Sequence, residues 1–376
     1  MPPGPAVRLR PVGWSDLPGW AGDDHAAALA ALRRTAAHVV ANGAHRTGAL
    51  GIPGEVFAAA FAALGEQGAA DPRRFLEDWF APHAVEGDDL GGPDGGGFVT
   101  GFYEPDLEVA PVRTAAFAHP IHAPPVQLAK NDGTLRADYA WGWRSGDALV
   151  EAPDRGTIER DAAAGGPLTA DWPVIAWARD RVDLFFVHVQ GAARLHFPDG
   201  TVRRITYAAK SGHPFTGIGR ELVAKGELPE GGVTMGTIRD WLAAHPARVD
   251  ALLRRNRSYI FFKEAAVDDA ALGPVAAAKV PLQPGRSLAV DRLLHTFGTP
   301  IHVHAPGLEL DGATYSRLMV AQETGTAIVG AARGDIFTGS GGAAGDLAGA
   351  IAHAARFTVL VPRPAPGAAP APLRTA

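Results

Sequence analysis

The chain contains no cysteine among its 376 residues, and this absence removes several classes of function. It excludes disulfide bonds, a thiol nucleophile, a thiolate metal site and a lipid-modified cysteine. Long apolar runs are missing as well. The first residues, MPPGPAVRLRPVGW, lack the apolar stretch of a secretory signal, and no segment reaches the roughly 18–20 apolar residues of a membrane span. Basic runs are absent too, and the net charge of −5 argues against nucleic acid as a partner.

What remains is the composition of a folded protein of about two domains. Apolar residues make up 47% of the chain and charged residues 20%. Residues 26–40 carry apolar side chains at three- to four-residue spacing, which predicts a helix. Asp71-Pro72 supplies an N-cap and a proline in the first turn, which predicts a second helix.

From about residue 107 to 235 the pattern favours strands. Residues 183–197 are predicted as two short strands around a glycine turn, and residues 202–207 as the strand that follows. Residues 237–253 are predicted as a helix. The last hundred residues favour short strands of a compact barrel, and we expect the Ala/Pro-rich tail from Pro362 to be disordered.

Three acidic residues near the ends of short apolar strands are the leading candidates for chemistry. Glu323 and Asp335 lie in LMVAQETGTAIVGAARGDIFTGSG, and Asp291 follows the strand predicted for Ser287–Val290. Carboxyl groups on stiff elements are held in place, and apolar surroundings raise their pKa, which suits a general acid. Each also has a structural interpretation: Asp335 as a turn aspartate, Asp291 as a scaffold acid paired with Arg292, and Glu323, next to Thr324-Gly325, in a similar role.

Three further segments have the composition of ligand contacts. Residues 100–105 (TGFYEP) combine a hydroxyl, aromatic rings and an acid, which fits sugar binding or an ordinary strand edge. Gln190-Gly191 places a polar amide between two predicted apolar strands, where it is either a ligand contact or a bulge. Residues 207–215 are polar and basic, and either contact an amide-rich ligand or form a solvated loop. The candidate binding residues are Thr100, Gly101, Tyr103, Gln190, Gly191, Lys210 and His213.

The sequence predicts no metal or cofactor site. His302 and His304 alternate on a strand and so share a face, but a third ligand at suitable spacing is missing. No GK[ST] follows the glycines of residues 339–345, so they are not a phosphate loop, and the G-x-S-x-G elbow of serine hydrolases is absent.

Taken together, these segments resemble the membrane-bound lytic murein transglycosylase A family. TGFYEP is similar to that family's TGYYEP, and FFVHVQGAARLHFPDG to its FF-x-x-x-QGSGR-x-x-x-x-DG. Four more segments match family blocks: YAAKSGHPFTGIGRELVAKGEL, NRSYIFF, PLQPGRSLAVDR and LMVAQETGTAIVGAARGDIFTGSG. The six blocks occur in the family's order, and the resemblance runs from about residue 14 to 361.

The resemblance implies an α+β fold that is mainly β. A double-psi β-barrel domain with three signature acids, residues 1–106 and 256–361, carries an inserted β-rich substrate-binding domain, residues 107–255, with the substrate in the groove between them. Asp335 falls at the position of the family's catalytic acid, and Asp291 and Glu323 match the other two signature acids. The seven candidate binding residues fall in blocks that line or support the groove.

The chain departs from the family pattern at two of these blocks. Glu323 stands where the family has aspartate, and Ala192-Ala193 replaces the serine and glycine of QGSGR, so that a hydroxyl is missing. The family is usually exported as a lipoprotein, so the resemblance implies the periplasm and an outer-membrane association, although this chain shows neither a signal nor a cysteine. We expect a monomer.

The implied reaction is cleavage of the β-1,4 bond between N-acetylmuramic acid and N-acetylglucosamine in peptidoglycan. One aspartic acid suffices, because the attacking hydroxyl belongs to the sugar itself, and no cofactor is needed. One alternative is hydrolysis by two of the three acids with a water nucleophile. The other is a peptidoglycan-binding protein with little or no turnover, to which the two departures lend weight.

Overall fold

The structure is a computed structural model that describes residues 7–67 and 70–364. The chain divides into two compact units. The first unit consists of the residues up to Tyr103, Asp269–Gly339 and the residues from Ala344 onward, and the second of Glu104–Asp268 and Ser340–Ala343. The domain limits assigned from the sequence, residues 107 and 255, stay a prediction. The tail predicted to be disordered lies outside the described residues from position 365 onward.

The strands and helices follow one another along the chain in a mixed order. The strands are Arg8–Pro11 (β1), Phe80–Glu86 (β2), Phe98–Glu104 (β3), Asp106–Ala110 (β4), His119–His122 (β5), Leu128–Lys130 (β6), Trp141–Ser145 (β7), Ala148–Val150 (β8), Val174–Ala178 (β9), Ala192–His196 (β10), Val202–Lys210 (β11), Ile260–Glu264 (β12), Ser287–Val290 (β13), Pro300–Leu310 (β14), Ala313–Glu323 (β15), Arg333–Ser340 (β16), Ala352–Ala354 (β17) and Arg356–Pro362 (β18). The helices are His25–Asn42 (α1), Ala58–Gln67 (α2), Pro72–Trp79 (α3), Arg155–Ala164 (α4), Arg181–Gln190 (α5), Ile218–Ala224 (α6), Met235–Ala244 (α7), Val249–Leu253 (α8) and Gly342–Ala350 (α9).

The first unit is built on one mixed sheet. Its strand order is β1-β2-β18-β14-β15-β13-β16-β3-β17, and β13 runs parallel to β15 but antiparallel to β16. Helix α1 packs its buried side chains, among them Leu29 and Leu32, into the same core as Leu288 and Val320 of the central strands. This core fixes the central strands, on which the candidate acids lie. The predicted α+β class is confirmed.

Two helices of the first unit form where the sequence predicts them. Helix α1 covers the predicted residues 26–40, and the side chain of its N-cap Asp24 accepts a hydrogen bond from the Ala27 amide at 3.0 Å. Helix α3 starts at Pro72, and the carboxylate of Asp71 accepts from the Arg74 amide at 3.0 Å. Both caps satisfy amide groups that lack a partner within the first turn.

The second unit contains a six-stranded sheet and a three-stranded sheet within the described residues. The larger sheet has the order β12-β11-β10-β4-β9-β5, and the smaller the order β6-β7-β8. Helix α5 covers the larger sheet with Leu184 and Val187, and it packs Phe185 and Phe186 against helices α6, α7 and α8. Residues 184–187 are therefore an apolar run that is buried on two sides and forms part of a helix.

This arrangement corrects one prediction from the sequence. Residues 183–190 belong to helix α5 and do not form a strand, and residues 192–196 form the second of the two predicted strands. Because the helix is buried on two sides, its apolar residues show no helical spacing. Asp180 carried the missed signal, since its side chain caps the helix by accepting from the Val182 amide at 2.7 Å.

The helix predicted over residues 237–253 is interrupted. Helix α7 ends at Ala244, residues 246–248 form a 3₁₀ turn that begins with Pro246, and α8 follows. Proline has no amide hydrogen, and its ring clashes with the preceding turn, which explains the break. No helix within residues 7–67 and 70–364 combines the length and apolarity needed to cross a bilayer.

Candidate active site

Two of the three signature acids are register partners of one residue in the first unit. Strand β13 lies between β15 and β16, and its Ala289 pairs with Glu323 on one side and Asp335 on the other. The two acids therefore lie on the strands on either side of Ala289, and the register of the β13–β15 pair shifts between Leu288 and Ala289. Strand spacing puts the Cα atoms of the two acids roughly 10 Å apart. Asp291 follows directly on β13.

Asp335 is a part-buried carboxyl group with one hydroxyl donor. Thr100 Oγ1 on β3 donates to Asp335 Oδ1 at 2.6 Å. Burial raises the pKa of Asp335, while the Thr100 hydrogen bond and the Arg333 charge oppose that rise. The net direction is upward, so Asp335 keeps its proton to a higher pH than a free aspartic acid, as a general acid requires.

The TGFYEP segment brings Thr100 to this position by close packing of β3 against helix α9. A Cβ on Gly101 would lie 2.7 Å from Cα of Ala348, so only glycine permits this approach. The ring of Tyr103, which is 8% exposed, lies against Gly345 of the same helix. Gly101 and Tyr103 therefore have packing roles in the first unit, whatever else they contact.

Glu323 is held by backbone amides at the end of β15. Its Oε1 accepts from the Thr324 amide at 2.8 Å, and its Oε2 accepts from the Ala277 amide at 3.1 Å. Burial raises the pKa of Glu323 to about 7, against the lowering effects of these two amides and of the Lys279 charge. Oε1 thus fixes the turn that follows β15, and Oε2 fixes the chain at residue 277.

Asp291 has a comparable clamping arrangement. It is 8% exposed, its Oδ1 accepts from the Leu293 amide at 2.9 Å, and its Oδ2 accepts from the Gly330 amide at 3.1 Å. Buried His295 adds a contact between Nε2 and the Ala331 carbonyl at 2.8 Å. These bonds tie the turn after β13 to the connection between β15 and β16, which leads directly into Asp335.

The other predicted binding residues lie in the second unit. Gln190 is the last residue of α5, and Gly191 caps it in the left-handed region with φ of 80°. Lys210 ends β11, opposite Ile260 of β12. The notion that Gln190-Gly191 interrupts a strand pair is wrong, because the residue pair joins a helix to a strand.

His213 is buried, with 1% of its surface exposed. Its Nδ1 lies 3.3 Å from the Tyr139 hydroxyl, and its Nε2 lies 2.7 Å from the Ala152 carbonyl oxygen. A carbonyl can only accept, so Nε2 carries a hydrogen and donates it to Ala152. With both nitrogens engaged, His213 holds the 211–214 segment to its neighbours.

Arg333, at the start of β16, was not among the site residues predicted from the sequence. Its Nη2 donates to Thr100 Oγ1 at 2.7 Å, which adds a cation to the Asp335 environment. The alternation of side chains along a strand was the available signal, since residues 333 and 335 share a face. In the part of the chain that the structure describes, no cluster of three or more acidic or histidine side chains could hold a metal ion. His302 instead contacts the Pro18 carbonyl at 3.1 Å.

Comparison with known proteins identifies the family. Residues 98–263 match the model of the MltA specific insert domain, and residues 286–361 match the model of the 3D domain. The membrane-bound lytic murein transglycosylase A of Escherichia coli K12 is 32% identical over 276 residues, which cover 72% of this chain and 66% of that protein. The chain thus spans just under two thirds of that relative.

Two crystal structures extend the likeness. That of a membrane-bound lytic murein transglycosylase from Agrobacterium tumefaciens is 45% identical with a TM-score of 0.86, and the match covers 95% of this chain and 98% of that one. The structure of E. coli MltA with bound chitohexaose is 25% identical with a TM-score of 0.65, covering 95% and 92%. The chain belongs to the membrane-bound lytic murein transglycosylase A family.

Proposed function

We propose that this protein is a lytic transglycosylase that cleaves the β-1,4 bond between N-acetylmuramic acid and N-acetylglucosamine in peptidoglycan, with Asp335 as its acid and base. Membership of the family supports the activity. One observation supports the assignment of Asp335: it is a part-buried carboxyl group whose pKa is raised by burial and whose Oδ1 is fixed by the Thr100 hydroxyl.

The reaction needs one proton donor that later becomes a proton acceptor. Protonated Asp335 gives its proton to the glycosidic oxygen, the C1–O bond breaks, and an oxocarbenium-like muramoyl sugar remains. The carboxylate of Asp335 then takes the proton of the muramoyl 6-hydroxyl as that oxygen bonds to C1. A 1,6-anhydro sugar leaves, Asp335 is protonated again, and no water is consumed.

Glu323 and Asp291 fit supporting roles in this reaction. A hydrolase with two carboxylates needs the second one free to attack C1 or to activate water. Both oxygens of Glu323 and both oxygens of Asp291 accept backbone amide hydrogens. This engagement favours a single-acid reaction over two-carboxylate hydrolysis.

The substrate class is a chain of β-1,4-linked amino sugars, in keeping with the relative whose structure contains chitohexaose. We assign substrate contact or its direct support to the seven residues chosen from the sequence: Thr100, Gly101, Tyr103, Gln190, Gly191, Lys210 and His213. For His213 the role is support, because its ring is buried and engaged on both nitrogens. The names of the relatives indicate the cell envelope, and we propose the periplasm, association with the outer membrane and a monomeric state.

The test is product analysis of a peptidoglycan digest by the wild type and the Asp335→Asn variant. The wild type should release muropeptides one water lighter than their hydrolytic counterparts. The variant should bind sacculi with unchanged fold but lose about three orders of magnitude or more in rate, in keeping with loss of a group that acts on two successive bonds. Reducing ends in the wild-type digest would instead identify a hydrolase.

A catalytically weak binding protein is the second candidate. The specific observation in its favour is the replacement of the family's aspartate and QGSGR residues by Glu323 and Ala192-Ala193. Sacculus binding without release of soluble fragments by the wild type would establish it. A rate that falls less than a few-fold in Asp335→Asn would remove Asp335 from the assigned role.

A further inference from the structure

Arg333, Thr100 and Asp335 form a directed chain of hydrogen bonds. Arg333 and Asp335 stand two residues apart on β16 and so project from the same face. Arg333 Nη2 lies 2.7 Å from Thr100 Oγ1, which lies 2.6 Å from Asp335 Oδ1. Arg333 is held in turn by a hydrogen bond from Nη1 to the Gly334 carbonyl oxygen and by the ring of Phe98, 5.7 Å from its guanidinium carbon.

The direction of these bonds follows from what each group can donate. A guanidinium only donates, so the Arg333 contact must use a lone pair of the Thr100 oxygen. The hydroxyl has a single hydrogen, which then points along the remaining short contact to Oδ1 of Asp335. Oδ1 is therefore an acceptor, and the dissociable proton of the carboxyl group is left to Oδ2.

We propose that Arg333 is a positioning residue that acts through Thr100 to orient the Asp335 carboxyl group with its transferable proton on Oδ2. The inference rests on the proposed function, in which Asp335 gives and takes that proton. It adds a residue outside the three signature acids and specifies which oxygen atom performs the transfer. Arg333 itself does not touch the sugar in this scheme.

The same contacts set the pH range in which Asp335 stays protonated. Burial raises the pKa of Asp335, and the Arg333 charge limits that rise. The other titratable groups on the elements near β16 are Tyr103 and Glu104 at the end of β3, Asp346 in α9, Glu323 at the end of β15 and Asp291 after β13. Glu104 accepts from the Ser340 hydroxyl, and Glu323 and Asp291 accept from backbone amides. Arg333 is the one cation among the described residues with a resolved effect on this carboxyl.

A purely structural Arg333 would brace Gly334 and Phe98 without affecting proton transfer. The two roles predict different results for substitutions of Thr100, which contacts neither Gly334 nor Phe98 through its hydroxyl. They also differ in the pH dependence of kcat. An acid that must be protonated loses activity as the pH rises through its pKa, so removal of a nearby cation should move this limb to higher pH.

The experiment measures kcat, KM and the pH profile of kcat for Thr100→Val, Thr100→Ser, Arg333→Met, Arg333→Lys and the double variant Thr100→Val/Arg333→Met. Thr100→Val should lower kcat by about 10-fold or more with KM changed by less than about 2-fold, because only a hydrogen bond to the reacting group is lost. Thr100→Ser should restore most of that loss. Arg333→Met should lower kcat about 10-fold and move the basic limb up by roughly 1 pH unit.

The double variant decides whether Arg333 acts through Thr100. If it does, kcat of the double variant should equal that of Thr100→Val within about 2-fold. Without the Thr100 hydroxyl, Arg333 has no means of orienting the Asp335 carboxyl group, so its substitution should cause no further loss. Multiplicative losses would overturn the proposal, as would a Thr100→Val variant with wild-type kcat. Arg333→Lys, which keeps the charge but not the planar fork, should hold the basic limb near its wild-type position while kcat falls.

A measurement on the free protein separates this proposal from the proposed function. Titration of ¹³C-labelled aspartate carboxyls, with the Asp335 signal assigned from Asp335→Asn, should show a higher pKa for Asp335 in Arg333→Met than in wild type. An unchanged value would refute the link between Arg333 and Asp335 even in an active enzyme. If Asp335→Asn instead releases anhydro products normally, Asp335 is not the acid of the proposed reaction, while the titration still decides whether Arg333 acts on its carboxyl group.

Discussion

Glu323 makes the stability of the first unit depend on pH in a way that a single substitution can reveal. Burial raises the pKa of this carboxyl from 4.5 to about 7 in the folded protein. The folded state therefore holds the proton more tightly than the unfolded chain. The resulting stabilisation is fully present below the unfolded value and is lost as the pH rises through the folded one.

The magnitude follows from the difference between the two pKa values. The rise from 4.5 to about 7 corresponds to a total of about 3 kcal/mol. About three quarters of this loss falls between pH 5 and pH 8, and partial exposure of the side chain reduces it to roughly 2 kcal/mol. The ionised carboxylate is thus a cost that the protein bears at neutral and alkaline pH.

Glu323→Gln replaces the titrating group by a neutral one of the same shape. Its amide oxygen can accept from only one of the Ala277 and Thr324 amides, so at pH 5 the variant should be less stable by about 1–2 kcal/mol. At pH 8 Glu323 of the wild type is ionised, which makes the wild type roughly 2 kcal/mol less stable than at pH 5. The difference in stability between wild type and variant should therefore disappear or change sign.

Urea unfolding at pH 5 and pH 8, at constant ionic strength and with far-UV circular dichroism as the signal, measures both differences. Glu323→Asp is the matched control, because it keeps the charge and restores the residue type of the family. It should retain a pH dependence that Glu323→Gln lacks. A Glu323→Gln difference that stays constant within about 0.5 kcal/mol between the two pH values would refute the reasoning.

Two further predictions concern the packing of the first unit. Asp23 and Arg286 form a buried ion pair at 2.8 Å, with exposed side-chain fractions of 3% and 7%. Asp23→Ala leaves a buried cation without its partner, so the variant should be less stable by about 3–5 kcal/mol in urea unfolding. A loss below about 1 kcal/mol would contradict this. Gly101→Ala should lower the free energy of unfolding by about 1–3 kcal/mol, because its Cβ would lie 2.7 Å from Cα of Ala348. Gly22 has open space around it, so the control variant Gly22→Ala should change the stability little. Equal effects of the two substitutions would contradict the packing argument.

Local signals in the sequence were sufficient for several elements. The N-cap and proline at Asp71-Pro72 predicted the start of α3, and the spacing of apolar residues predicted α1. Ser287–Val290 was identified as a strand from a short apolar run and is β13. These predictions succeeded because caps and periodicity act over a few residues, within one element.

Elements buried on more than one side gave weaker signals. Residues 183–190 looked like a strand because Leu184 and Val187 face the sheet while Phe185 and Phe186 face other helices. A continuous apolar run does not distinguish a buried strand from a buried helix. Only the capping aspartate, Asp180, marked this segment as helical.

The candidate site shows the same division. The residue types and their order along the chain singled out Asp335, Asp291 and Glu323, and the order of the motifs indicated the family. Nothing in the local sequence specified that the Asp335 carboxyl would receive the hydroxyl of Thr100, which stands 235 positions away. The local sequence also did not indicate that Arg333 would donate a hydrogen bond to the same hydroxyl.

By itself, then, the sequence determined which chemical groups this protein possesses, where helices α1 and α3 lie, and which family it resembles. The tertiary structure decided which of three acids stands alone beside a hydroxyl and which two are occupied by backbone amides. The physical reason is that a carboxyl group's proton affinity depends on burial and on the donors around it. Those surroundings come from strands β3, β13, β15 and β16, which are distant in the chain and adjacent only in the folded sheet.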